Sequence, residues 1–347
     1  MPRDVMLPPI DAEPGEVAKS LFRRRLESEH QTSCRADFSE VIQARNAGWA
    51  SNALIPEWVD LDNVDLDRFF TRPGVADKCY RNLIQMMNGD YADTGSYKFV
   101  DPSAGDGAFY DLLPNDRRIG IEIIPGRRDL ECADFLSWKP RRNGHRYAVI
   151  GNPPFGYRAW LALAFVNHAA TFADYIGMIL PMGFQSNGKG SPKFRVDGAE
   201  LISTEPLPPD AFVFPEGKSV QVNALWQVWK RGVNNPRPIA SCDQWMDLFT
   251  VDHRKERLCG QNRIHEADWF LQRTFYGNPP TLVSDFSEVR YGCGYGIVLK
   301  QRKAALTKAL RDADWVKHSN LAAHNCRHIS MEHIRAALVE AGFVDSQ

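Results

Sequence analysis

Four consecutive residues, Asn152-Pro153-Pro154-Phe155, carry the most specific chemical equipment in the chain. They follow Tyr147-Ala148-Val149-Ile150, a short β-branched apolar run closed by Gly151, which reads as a buried strand ending in a sharp turn. The two prolines fix φ and remove two backbone donors, and Pro153 pushes Asn152 out of the helical region. The tetrapeptide is therefore a stiff extended loop at the carboxyl end of a strand, where open α/β sheets bind ligands. An Asn amide oxygen and a fixed carbonyl make two acceptors, which suit a planar NH2 group. Phe155 offers an aromatic face for a flat heterocycle. The plain alternative is a tight strand-to-helix turn with a packed Phe.

Three further groups could complete such a site. Asp101-Pro102-Ser103-Ala104-Gly105-Asp106-Gly107 follows the strand Tyr97–Val100, and Phe109–Leu113 starts a helix. Strand, glycine loop and helix form the nucleotide-binding entry of a doubly wound fold. The spacing is neither G-x-G-x-x-G nor a P-loop. Two acids would repel phosphates and suit a cationic or hydroxyl-rich ligand such as S-adenosylmethionine. Glu122 closes the next strand, Arg118–Ile124, about 20 residues after the first acid, where such folds place an acceptor for ribose hydroxyls. Asp134 could accept from an adenine amino group while Phe135 packs on the ring; Asp134 also reads as a helix N-cap.

The positioning elements follow in order. In Phe69-Phe70-Thr71-Arg72-Pro73, Thr71 is placed to cap a helix running to about Met87, with Pro73 in its first turn. Such a helix N-terminus could also receive a ligand carboxylate. Trp160–Val166 reads as an apolar helix and Tyr175–Leu180 as a buried strand. Glu200–Leu207 and Gln221–Trp229 read as strands of a hairpin, and Phe212–Gly217 as a turn. Alternating β-α units ending in a hairpin predict a mostly parallel sheet with one antiparallel edge. Residues 183–198, with Lys189, Lys193 and Arg195, read as a mobile basic loop near the strand ends, Lys189 and Lys193 being candidate substrate contacts. Phe22-Arg23-Arg24-Arg25 is a short basic cluster, read as a solvated helix face.

Residues 230–240 read as a linker. Beyond them, Trp245, Trp269, Tyr276, Tyr291 and Trp315 are set among His and Arg, which fits a packed core or nucleic-acid recognition. Tyr291–Gly296 is either a ligand-facing loop or a strand with close backbone contacts. Residues 302–312 and 331–341 read as helices. The division expected is a tail and helical extension over 1–65, a main domain over 66–235, and a C-terminal extension over 236–347.

The totals bound the function. The chain has 347 residues, 44% of them apolar and 24% charged, as in an ordinary globular protein. A net charge of −1 gives no global basic field, so a nucleic-acid partner must meet local patches. Seven cysteines lack C-x-x-C spacing and suggest neither zinc nor a disulfide framework. No run resembles a signal peptide or approaches a membrane span, so a cytoplasmic, nucleic-acid-associated location is expected, or a nuclear one in a eukaryotic source.

Over residues 69 to about 229 the order of these motifs resembles class I S-adenosylmethionine-dependent methyltransferases, specifically the adenine-N6 branch in its gamma-like arrangement. Phe70-Thr71-x-Pro73, Asp101–Phe109, Glu122, Asp134-Phe135 and Asn152–Phe155 carry the likeness. The resemblance implies a Rossmann-like fold: a doubly wound, mostly parallel seven-stranded sheet with an antiparallel edge hairpin, here followed by a smaller C-terminal α+β extension. It implies S-adenosyl-L-methionine as cofactor. Residues 101–107 would hold its methionine end, Glu122 its ribose, Asp134 and Phe135 its adenine, and Thr71 and Pro73 would lie near its carboxylate. Asn152 and Pro153 would accept from the target amine, with Pro154 completing the catalytic tetrapeptide. Phe155 would stack on the flipped base, with Phe212 or Phe214 as a second aromatic. The activity implied is N6 methylation of adenine in double-stranded DNA, by a solitary enzyme or one paired with a restriction enzyme. RNA amino groups, a protein glutamine amide and a silent nucleic-acid-binding module are the alternatives. No metal is implied. The sequence contains no recognisable target recognition domain.

Overall fold

The structure, a computed structural model, describes residues 38–61, 69–141, 144–186, 191–214, 217–234, 241–254, 259–322 and 325–345, with side chains from residue 43 onward. The basic cluster at 22–25, Cys34 and Lys189 lie outside the described residues. The chain divides into two compact units, 1–181 with 196–234, and 182–195 with 235–347.

The first unit is built on a seven-stranded sheet. Its strands are β2 (Tyr97–Asp101), β3 (Arg118–Glu122), β4 (Glu131–Cys132), β5 (Arg146–Gly151), β6 (Tyr175–Pro181), β7 (Ala199–Pro206) and β10 (Ala224–Arg231). They lie in the order β4-β3-β2-β5-β6-β10-β7. Neighbours from β4 to β6 are parallel, and β10 runs antiparallel to both β6 and β7. This is a doubly wound, Rossmann-like fold, with the expected antiparallel hairpin at one edge. The strand order reverses between β2 and β5, so their carboxyl ends flank the crevice where doubly wound sheets bind ligands.

The sequence explains these elements directly. Residues 147–151 of β5 are buried, as a central parallel strand covered on both faces requires. Helix α1 spans Phe38–Ala50, α2 Pro73–Gly89 and α3 Trp160–Ala170. In α2 the buried residues Ala76, Cys79, Leu83 and Met87 recur at three- and four-residue intervals, making one apolar stripe. That stripe joins Phe99, Ile150, Ile179 and Trp226 in one core. The Trp226 indole N–H donates to Asn82 Oδ1 at 2.9 Å, so this buried ring keeps its polar atom satisfied. Helix α3 is buried nearly all round, consistent with its uniformly apolar sequence.

Two expectations fail for identifiable reasons. No helix follows the glycine loop: Tyr110–Leu112 makes a single 3-10 turn. Pro114 holds Leu113 extended, at φ −81° and ψ 149°, and stops the turn. Thr71 does not cap α2. It pairs with Phe212 in a small ribbon of β1 (Phe70–Thr71), β8 (Phe212–Val213) and β9 (Ser219–Val220). The cap position falls to Arg72, extended at ψ 137° because Pro73 follows it, and no side chain caps the helix. The strand expected at Gln221–Trp229 starts three residues later than read, at Ala224, and forms β10.

The second unit has its own core. Strands β11 (Met246–Asp252), β12 (Trp269–Gln272) and β14 (Cys293–Leu299) form an antiparallel sheet in the order β11-β14-β12. Strands β13 (Thr274–Phe275), β15 (Asn320–Leu321) and β16 (Arg327–His328) make a smaller ribbon. Helices α4 (Lys303–Asp312) and α5 (Met331–Glu340) bury Leu306, Leu310, Ile334 and Leu338 around Trp315 and Ile297. Most of the Tyr291–Gly296 run belongs to β14, the strand alternative. Among the described residues no helix is long and apolar enough to cross a membrane.

Candidate active site

The carboxyl ends of β2, β3 and β5 open on one cleft with about 710 Å³ of empty space, part of it open to solvent. Pro102, Ser103 and Gly105 line it from the glycine loop, Glu122 and Ile123 from the end of β3, and Asn152 and Pro154 from the end of β5. Asp134 and Phe135 close it on a further side. All these residues belong to the first unit.

The Asn152 side chain is held at one end only. Its Nδ2 donates to the Phe69 carbonyl at 3.0 Å. A carbonyl can only accept, so this contact fixes which end of the amide is nitrogen. The other end, Oδ1, is buried and has no hydrogen-bond partner among the described residues. A buried amide oxygen left unpaired costs about 1–3 kcal/mol, so the fold holds an unsatisfied acceptor in place. Ser103 Oγ donates to the Asn152 backbone carbonyl at 3.0 Å and ties the tetrapeptide to the glycine loop.

Gly151 permits this junction. A Cβ there would lie 2.8 Å from Asp101 Oδ1 and 2.9 Å from Pro102 Cδ, so no side chain fits between the two strand ends. Asp101 itself is 2% exposed and accepts from the Ser103 amide at 3.3 Å. Burial pushes its carboxyl up to about 8, Glu122 and Asp106 acting in the same direction while backbone amides oppose. Asp101 is therefore mostly neutral at pH 7, which corrects the reading of two charged acids facing a cationic ligand. Asp106 is exposed and is not among the lining residues, so Glu122 is the acid of the β2 and β3 ends that lines the cleft.

Glu122 is 8% exposed and accepts from the Gly105 amide at 3.0 Å. Asp134 receives Trp49 Nε1 at 2.7 Å, the Leu136 amide at 3.1 Å and Ser137 Oγ at 3.1 Å. It caps a short turn, where its plain reading expected a helix. Phe135 is 2% exposed and is packed with Phe165, at 5.1 Å between ring centroids, and with His168. It is a core residue with an edge on the cleft, and not an open ring face.

The other expected residues divide similarly. Thr71 Oγ1 is buried without a hydrogen-bond partner among the described residues, although Thr71 does not line the cleft. Pro73, Ala104, Gly107, Pro153 and Phe155 are also not among the lining residues. Phe155 is half-buried against the first unit's core. Of the two aromatic candidates, Phe212 is fully buried. Phe214 is half-buried, its ring 6.0 Å from that of Phe69, the residue whose carbonyl holds Asn152. Lys193 belongs to the second unit, where it donates to the Gln185 carbonyl at 3.3 Å.

The cleft has walls that sequence reasoning did not assign: Trp49, Phe69, Phe70, Ile123, Ala133 and Phe165. Ile123 and Ala133 were signalled by their neighbours Glu122 and Asp134. Trp49 and Phe165 lie inside helices, where an aromatic reads as core. Trp49 stacks edge-on against Trp160 with centroids 5.7 Å apart, and the Arg45 guanidinium lies 4.7 Å over its ring.

Immediately after the tetrapeptide the backbone is strained. Arg158 and Ala159 both have left-handed φ, at 56° and 63°. For non-glycine residues this costs roughly 1–2 kcal/mol each. Among the described residues no group of three or more His, Cys, Asp or Glu could hold a metal ion.

No protein-family model matches the sequence, and no curated protein matches it. Comparison with solved structures finds the 23S rRNA methyltransferase ErmE, at 16% identity and a TM-score of 0.34, covering 50% of this chain and 72% of that one. The M protein of the type I restriction enzyme EcoKI is similar at 17% identity and a TM-score of 0.30, covering 50% of this chain and 46% of that one. The magnesium protoporphyrin IX methyltransferase of Synechocystis, solved with bound S-adenosylmethionine, is similar at 11% identity and a TM-score of 0.33, covering 65% of this chain and all of that one. At these values the likeness is no guide to substrate, and the fold assignment rests on the strand order itself.

Proposed function

We propose that the protein transfers a methyl group from S-adenosylmethionine to an exocyclic amino group of a nucleic-acid base, foremost N6 of adenine in DNA. The observation that carries this reading is the buried, unpartnered Oδ1 of Asn152 in a cleft shared with the glycine loop and Glu122.

The cleft suits the cofactor. Glu122 offers a carboxylate at a strand end, the position that accepts from ribose hydroxyls in such folds. Ile123, Phe165 and Trp49 give apolar walls for a flat adenine, and Asp134 a carboxylate for its amino group. Bound there, the cofactor supplies an electrophilic methyl group. The chain's own task is to position and polarise the acceptor. The target amine is weakly nucleophilic because its lone pair is conjugated into the ring. Asn152 Oδ1 and the Pro153 carbonyl, accepting its two N–H bonds, favour a tetrahedral nitrogen and its developing positive charge. Because Phe69 fixes the Asn152 amide, that acceptor needs no reorganisation when the reaction begins. Phe155 and Phe214 are assigned to the base, which must leave the stack if it starts in a duplex.

Tritium transfer from labelled cofactor to duplex DNA, structured RNA and a protein extract tests the reading. Label in DNA, sequenced to adenine, is the expected result. Label confined to RNA or protein refutes the DNA assignment, and no label in any of them refutes the enzyme.

A further inference from the structure

The segment that follows the tetrapeptide carries a second feature. Tyr157 is 67% exposed and Trp58 is 56% exposed. The two rings meet edge to face, 6.2 Å between centroids and 86° between planes. The Arg158 guanidinium lies 5.0 Å over the Tyr157 ring, and Arg158 is itself exposed. Two large aromatics at the surface lose apolar burial, and nothing in the core requires them there. Arg158 and Ala159, the two residues that follow Tyr157, both hold left-handed φ. Strain of this kind persists where the surrounding structure over-determines it, and it clusters at ligand clamps.

We infer that Trp58, Tyr157 and Arg158 form a docking surface for the nucleotides that flank the target base, the two rings stacking on flat bases and the guanidinium meeting a phosphate. The inference rests on the nucleic-acid reading above and extends it to residues outside the cleft. Tyr157 lies five residues after Asn152, a span of roughly 18 Å at full extension. That upper bound keeps Tyr157 within a few nucleotides of the target base, at 3.4 Å per base along a duplex. A polymer of bases and phosphates is the partner whose chemistry uses both features at once: aromatic platforms that accept any base face, and a planar cation. The chain's net charge of −1 gives no overall attraction to a polyanion, so binding must come from such a local surface.

The test is fluorescence anisotropy of the full chain with fluorescein-labelled single-stranded and duplex oligonucleotides over a salt series. Tyr157→Ala and Trp58→Ala should each weaken binding about tenfold, the loss expected for one stacked base. Arg158→Gln should weaken it and lower the slope of log affinity against log salt by about one phosphate's worth. Tyr91, 97% exposed, is the control: Tyr91→Ala should bind as the parent chain does. Unchanged thermal melting would show that the exposed substitutions leave the fold intact. Binding by Tyr157→Ala and Trp58→Ala equal to the parent overturns the inference, as does a parent chain that binds neither oligonucleotide. An equal loss in Tyr91→Ala also overturns it, since the effect would then belong to any exposed aromatic. Methyl transfer decides the other question separately. Binding in this pattern without transfer refutes the proposed reaction and spares the surface, whereas transfer with no effect of these substitutions spares the reaction and refutes the surface.

Discussion

Replacing Asp101 with Asn should change how stability depends on pH, and the size of the change follows from burial. Asp101 sits at the end of β2 against Gly151, with its carboxyl raised from 3.8 to about 8. Between those values the folded chain keeps a proton that the unfolded chain has released. Stability from this group is therefore complete below about pH 4 and is lost as pH rises through about 8. Each unit is worth about 1.4 kcal/mol, so roughly 4 kcal/mol should disappear between pH 5 and pH 8. Asn is a neutral near-isostere that still accepts from the Ser103 amide and does not titrate. Urea unfolding of the parent and Asp101→Asn chains, measured across pH 5–9, isolates the effect, because the other groups titrate alike in both. The parent should lose stability relative to the variant as pH rises, and the difference should flatten above about pH 8.5. A difference independent of pH, or one that moves in favour of the parent, would mean that Asp101 is ionised in the fold and that the argument from its burial is wrong.

Three further outcomes follow. Trp49→Phe keeps a ring in the cleft wall and removes the 2.7 Å bond to Asp134, so cofactor affinity by calorimetry should fall about 5- to 10-fold; equal affinity would detach Asp134 from the cofactor. Gly107→Ala places a methyl 2.1 Å from Arg127 Nη1 at φ 99° and disturbs the Arg127–Asp111 ion pair, so thermal melting should show a loss of roughly 2 kcal/mol or more. Glu122→Gln should weaken cofactor binding by roughly tenfold or more while the circular dichroism spectrum stays unchanged, and unaltered binding would remove its ribose role.

The parts of the fold that could be read from the sequence are those where one local rule acts unopposed. Buried strands such as Tyr147–Ile150 and Tyr175–Leu180 are continuous apolar runs with clear ends, and both form. The alternation of strands and helices, closed by an antiparallel hairpin, gave the sheet's architecture. The failures occur where a proline overrides a neighbour's preference. Thr71 is a good capping residue by type, but Pro73 moves the helix start and leaves Thr71 pairing with Phe212. Phe109–Leu113 has helical spacing, but Pro114 ends it after one turn.

The site divides in the same way. Asn152, Pro154, Glu122, Asp134 and the glycine loop meet at one cleft because strand ends converge by topology, and strand ends are legible. The ionisation of Asp101 was not legible, since it depends on how closely Gly151 and Pro102 pack around the carboxyl. Nor was the bond between Trp49 and Asp134, which spans 85 residues and joins an N-terminal helix to a loop after β4. Long-range contacts of this kind leave no mark on local periodicity.

The central claim is that Asn152 Oδ1 is a prepared acceptor for the amine and takes no part in holding the cofactor. Asn152→Ala leaves the Phe69 carbonyl unpaired at a cost of about 1 kcal/mol and leaves Glu122, Asp134 and the glycine loop in place. Single-turnover methyl transfer, measured alongside cofactor binding on the same variant, separates the two roles. The account predicts a rate lower by roughly 10²- to 10³-fold, with cofactor affinity within about a factor of two of the parent. A rate within tenfold of the parent, or a collapse of cofactor binding, would contradict it.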